Sequence, residues 1–384
     1  MSHPFKKLVG VLLLLTLSVA TAFACTWDYD TVPEELKGVP DVVDAVVGRL
    51  AINPPLYYEV RLKRVVEEMK THPENLDLYD NAGVAADKLG DTDAAIAWME
   101  KKAEQIKTSK LNAESLKDHQ YRYHANLGTF YAHKWAKQKD RTDFNLLKKG
   151  IAELETAVKI NPDAHFGREI VQIEFLKLFM LKSPQASEFD NMERQDSWKS
   201  FVNRVGGEKV SKGLIGMMLL GSGAESPDAM FALGIGSINS YNGSRRSVLS
   251  LFVEKRIKEL GGQSKMALFD EGGTGISAGI AYYKEDATTA YDELRKNAKE
   301  YRKNRDDFMI AKLNKGQHPD TDPSFWNGYQ ETPRVDLDKF GKVVPLNLRS
   351  RGVSNEGFIA ALFAIPAAVA AIIFLCIYLK RRAG

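Results

Sequence analysis

The chain has 384 residues, 53 of them Lys or Arg and 50 Asp or Glu, with a formal net charge of +3 at pH 7. Setting aside the five terminal cations, Lys6, Lys7, Lys380, Arg381 and Arg382, leaves 48 basic against 50 acidic residues, so the body is near neutral and lacks the electrostatic footprint of a nucleic-acid binder. The only two cysteines, Cys25 and Cys376, lie near opposite ends, so no disulfide staples the body and packing alone must hold it.

The N-terminus has the three parts of a secretory signal over residues 1–24: Lys6 and Lys7, an apolar run from Leu8 to Ala20, and small residues at Ala22 and Ala24. Cleavage there makes Cys25 the first mature residue. The sequence AFAC resembles the lipobox of bacterial lipoproteins, in which that cysteine is lipidated, although Phe23 departs from the usual small residue; lipidation and plain cleavage both stay open. Residues 25–66 read as an N-terminal docking segment, in which Trp27, Asp28, Tyr29 and Asp30 alternate as in a strand.

Residues 67–270 carry helical patterning. Leu76 to Leu89 reads as one helix, closed by Gly90, with Asp93 as the N-cap of the next, which makes a helical hairpin. A second pair runs from YHANLGTFY to GIAELETAVKINPDA, with an insertion around Lys137 to Asp143. A weaker third spans SPDAMFALGIG to KRIKELGG, with Ser226 as N-cap, Pro227 at the first helical position and Gly261 and Gly262 at the end. Between the second and third, HFGREIVQIEFLKLFML and a helix around Trp198 and Phe201 add helical material. Residues 271–315 read as a long charged terminal helix, and 316–356 as a Pro- and Gly-containing linker whose Phe325, Trp326, Tyr329 and Phe340 should dock back on the helices. The uncharged run Phe358 to Leu379, within a segment 357–379, is long enough to span a bilayer as one helix, and the basic tail 380–384 then stays cytoplasmic. No LPxTG-like motif precedes the span, so permanent anchoring is expected, with the bulk of the chain extracytoplasmic.

The hairpins resemble tetratricopeptide repeats, helix-turn-helix units of about 34 residues. Tyr79, the small pair Ala82 and Gly83, Gly90, Ala95 and Met99 stand at the repeat's packing positions, as do Leu127, Gly128, Tyr131, Ala157 and Pro162 in the second unit and Leu233 and Gly234 in the third. Lys102 occupies a position where a small residue is usual, with Ala103 one place later, which predicts a slipped or loosened second helix. CTWDYDT, NPPLYYEVRLKR and NPDAHFGRE also resemble segments of a group of bacterial exported, membrane-anchored tetratricopeptide-like proteins; that likeness covers residues 25 to about 260 and brings no activity with it. The fold class it implies is all-α, a helical-hairpin solenoid plus one C-terminal transmembrane helix.

Asp77, Asp80, Val84, Asp87 and Lys88 share one face of the first helix, opposite Tyr79, Ala82, Gly83 and Ala86. By the resemblance these positions line a concave groove, joined from the second unit by Arg122, Thr129 and His133. An acidic groove favours a basic peptide, and a solvated face is the plainer reading. His165, Arg168 and Glu169 form a second candidate, either a small-ligand site or a cap and ion pair between repeats. No metal site is expected, because the spacings of His119, His124 and His133 put the first two on different helix faces. No cofactor motif and no catalytic constellation is present, since GxSxG, Walker and zinc-ligand patterns are missing. The expected function is an extracytoplasmic, membrane-anchored protein or peptide interaction module; the alternative is a small-ligand binder or enzyme using the turn from His165 to Glu169.

Overall fold

A computed structural model of the chain describes residues 26–28, 40–162, 167–181, 188–221, 223–238, 244–261, 284–336 and 340. The expected signal, Cys25, His165, the apolar run 358–379 and the basic tail lie outside these residues. Among the described residues every regular element is helical, and no helix is long and apolar enough to cross a membrane.

The first helices arise inside the expected docking segment. Asp41 caps α1 (Val42–Val47) by accepting from the Val43 N–H at 2.7 Å, and Gly48, at φ 78°, ends it. Pro54 and Pro55 open α2 (Pro55–Glu68), where a missing N–H costs nothing.

Asn75 caps α3 (Leu76–Lys88), and Gly90 turns the chain at φ 93° into α4 (Thr92–Thr108). The N-cap of α4 is Asp91, which accepts from the Ala94 N–H at 2.9 Å, while Asp93 sits in the first turn. The expected capping residue is thus displaced by two positions, because both aspartates suit the positive end of a helix and the turn geometry selects the earlier one. Helices α5 (Ala113–Lys137) and α6 (Asn145–Ile160) flank the expected insertion and are held closest where two backbones meet. A Cβ on Gly128 would lie 2.7 Å from the Gly150 carbonyl oxygen, and the reverse distance is the same.

After α6 come α7 (Arg168–Met180), α8 (Glu188–Val205) and α9 (Gly207–Leu220). Helix α7 pairs with α9 rather than only with its successor. Its Val171 fills the space beside Gly213, where a Cβ would come within 2.7 Å. Ser226 accepts from the Ala229 N–H at the start of α10 (Pro227–Ile238), whose Gly234 faces Val253 of α11 (Ser244–Glu259). The last helix, α12 (Lys284–Leu313), buries Ala287, Tyr291, Leu294, Ala298, Arg305, Met309 and Leu313 at helical spacing.

Successive neighbours pack from α2 through α6, and α12 returns to α1 and α2. One apolar cluster records that closure: Tyr57 and Tyr58 of α2, Ala85 of α3, Met309 and Leu313 of α12, and Phe325 beyond it. Residues 317–336 dock as the aromatic content predicted. Phe325 is buried, His318 stacks on Tyr57 with ring centroids 4.5 Å apart, and Trp326 stacks on Phe308 at an interplanar angle of 10°. Arg49 adds hydrogen bonds to Asn297, to Glu331 and to the Thr332 carbonyl.

Candidate functional site

Helix α3 is buried on nearly all sides, so its polar stripe is an interior feature. Asp80 is 2% exposed and takes two contacts, at 2.6 and 2.7 Å, from the ammonium of Lys102, itself fully buried on α4. The Lys102 position therefore reports an ion pair, and α4 runs unbroken through it. The expected slip is absent because the long side chain reaches across to a carboxylate instead of displacing the helix. Burial pushes the Asp80 carboxyl up and the Lys102 ammonium down, each against the attraction of the other.

The remaining groove residues are likewise engaged within the chain. Asp87 accepts from Nδ1 of His133 at 2.7 and 2.8 Å, and both are buried. Asp77 is exposed and meets Arg122 at 2.8 Å; Arg122 also pairs with Asp118. Thr129 accepts from Gln172 of α7 at 3.1 Å. Lys88 donates to the Leu220 and Gly221 carbonyls, where the C-terminus of α9 gathers negative potential. The three carboxylates expected to attract a basic peptide are thus each matched by a cation or imidazole of the same chain.

Against the face expected to line a groove lies the chain's own segment Thr26–Asp28. Asn126 of α5, fully buried, accepts the Trp27 N–H at 2.6 Å and donates to the Trp27 carbonyl at 3.0 Å, so one side chain holds both polar groups of one residue. Its amide also donates to Asp80 at 3.1 Å. The indole stands edge-on to Tyr121, centroids 5.6 Å apart, and donates to the phenol oxygen at 3.3 Å. Arg122 lies over the same ring, and Ala125, Ala157 and Ile160 complete the apolar seat. Thr26 donates to the Leu220 carbonyl at 3.1 Å, and Asp28 meets Arg61 of α2 at 2.7 Å. Beside the segment, Asn53, Tyr58, Lys88 and Leu219 help close a space of about 20 Å³, enough for one water.

Arg61 is fully buried and shares its charge between Asp28 and Asp320, the latter at 2.6 Å. Burial works against ionisation of Asp320, yet hydrogen bonds from His318 and Arg61, with the charge on Arg61, hold it well below the usual carboxylate range. At the other end, Tyr121 donates to Glu169 at 2.7 Å. Burial first, and Glu169 second, push that phenol far up, and burial raises Glu169 against the pull of Arg168. Arg168 and Glu169 are both interior, with Nη2 of Arg168 3.9 Å from the carboxylate, and the helix that carries them starts at Gly167 without a side-chain cap. The two are consecutive residues of one helix, so the expected ion pair between repeats is not what they form; His165 and the expected cap, Asp163, lie outside the described residues.

Ligand atoms of Asp77, Asp80 and His119 fall within 4.8 Å of one another, but Lys102 and Arg122 already neutralise these carboxylates. His124 pairs instead with Glu153 at 2.5 Å and His133 with Asp87, so the three histidines do not converge. Asn126, Tyr121, Arg61 and Asp320 escape the sequence reading. A signal existed for Asn126, a poor helix former set in a helix interior between Ala125 and Leu127.

Compared with known protein families, with curated proteins and with solved structures, the chain shows no match.

Proposed function

We propose that the chain is an extracytoplasmic, membrane-anchored interaction module with a tetratricopeptide-like helical array, and that the groove between α3 and α5 is its peptide-binding surface. The observation that carries the reading is the hold of Asn126 on both the N–H and the carbonyl of Trp27. A side chain that satisfies both main-chain groups of one residue does for an extended peptide what a sheet edge does in strand addition, and leaves neighbouring side chains to confer selectivity. The neutralised, closely packed interior of the groove supports binding over catalysis. Among the described residues no activated nucleophile or open acid–base pair stands there, and Asp80 and Asp87 are matched by Lys102 and His133.

The anchored topology rests on the sequence alone: the signal over residues 1–24 starts export and the apolar run 358–379 stops it. Crosslinking the full chain in its own membrane, followed by mass spectrometry of captured chains, tests the reading. Reproducible capture of a protein partner is expected; capture of none, by wild type or by a variant with an emptied groove, refutes it. Protease added to oriented vesicles should digest the helical body from the outer face and spare Lys380–Arg382.

A further inference from the structure

We infer that the seat of Thr26–Asp28 is an exchangeable site for an extended segment of a partner protein bearing an aromatic residue followed by an acidic one, with the chain's own segment as its competitor in cis. The inference rests on the peptide-groove reading and adds the ligand's chemistry and its regulation.

Each part of the seat reads a different part of the occupant. Asn126 takes the main chain and so tolerates any residue. Tyr121, Arg122, Ala125, Ala157 and Ile160 enclose a flat aromatic ring from its edge, its face and its sides. Arg61, with no exposure of its own, presents Nη1 to the carboxylate that follows the ring. With Asp80 tied to Lys102, Asp87 to His133, and Asp77 and Asp118 to Arg122, the group that faces the residue after the ring is Nη1 of Arg61, whose Nε and Nη2 are held by Asp320, and it favours a carboxylate at that place.

The line of polar groups also continues past the present occupant. Thr129 and His133 follow Asn126 by one and two turns on the same face of α5. Among the described residues, Nε2 of His133 and Oε1 of Gln172 are buried and meet no hydrogen-bond partner, on residues 2% and 0% exposed. Buried polar atoms are rarely left so, and an imidazole nitrogen and an amide oxygen on this face suit the polar groups of a longer segment. A covalently linked competitor acts at an effective concentration near the millimolar range, so it masks the site until a partner binds better or the segment is drawn out.

The test uses the full chain in detergent and a labelled synthetic peptide with the sequence of residues 26–32, TWDYDTV. Fluorescence anisotropy should show at least a tenfold tighter complex with the Trp27→Ala/Asp28→Ala variant than with wild type. Replacing Trp by Ala in the peptide should abolish binding, replacing its first Asp by Asn should weaken it, and adding Asn126→Ala to the variant should remove it. Where the variant loses helix by circular dichroism, the peptide should restore it. A folded variant that binds no better than wild type, or an unfolded one that the peptide neither binds nor rescues, overturns the inference. Partner capture that persists unchanged in Asn126→Ala would also overturn it while leaving the interaction-module reading intact.

Discussion

Replacing Lys102 by Met separates the charge of this residue from its bulk. The aliphatic stem that packs between α3 and α4 is retained, while Asp80, 2% exposed, loses both contacts of 2.6 and 2.7 Å and keeps only the Asn126 amide at 3.1 Å. Breaking a buried ion pair from one side costs about 3–5 kcal/mol, most of it the stranded charge. Removing both charges, in Asp80→Leu/Lys102→Met, avoids that penalty and costs about 1 kcal/mol for the acceptor that Asn126 loses. Urea titrations followed by helical circular dichroism should therefore give a coupling energy of at least about 2 kcal/mol between the two sites. The loss in Lys102→Met should also shrink as pH falls. Burial raises the Asp80 carboxyl and Lys102 draws it back down, so without Lys102 the native state takes up a proton at higher pH than wild type does and gains up to about 1.4 kcal/mol per pH unit relative to it. A single variant within about 1 kcal/mol of wild type at pH 7, or a deficit independent of pH, would refute the view that this pair is a buried charge held in place by its partner.

Other substitutions probe the rest of the architecture. Burial, with the charges of Lys102 and Arg122, lowers His119 from 6.5 to about 4, so the unfolded chain binds the proton first and thermal stability should fall as pH drops through that window; His119→Asn should flatten the slope. The stability contributed by Asp320 is present above its unfolded value near 3.9 and is lost only at still lower pH. Asp320→Asn should transfer that loss to neutral pH and speed hydrogen exchange in residues 317–329. Gly128→Ala places a methyl group 2.7 Å from the Gly150 carbonyl oxygen and 3.0 Å from the Leu154 nitrogen, both backbone, and should cost roughly 1–3 kcal/mol in the same urea assay.

The hairpins were legible because their determinants are local. The cap Ser226, the turn at Gly90, and small residues at helix contacts such as Gly83, Gly128 and Gly234 act within a few residues of the structure they set. Asp80 and Asp87 were placed on the correct face, and that face proved to be interior. Helical periodicity tells which residues share a side, but not whether another part of the chain will cover it. Here the cover comes from Trp27, nearly a hundred residues upstream of Asn126, and from the end of α9. Lys102 was misread for a related reason. A lone lysine in an apolar stripe looks like a defect until its carboxylate partner on the preceding helix is in view.

Arg61 joins the parts that no local signal connects. It sits on α2, takes Asp28 from the N-terminal segment on one side and Asp320 from the segment after α12 on the other, and is wholly buried between them. An arginine so placed is stable only while carboxylates face it, because an unpaired guanidinium in the interior carries an uncompensated desolvation cost. Withdrawal of Asp28 from the groove therefore raises the demand on Asp320, and loosening of residues 317–329 weakens the hold on Asp28. Residues 26–28 and the segment that follows α12 are then thermodynamically linked through one side chain.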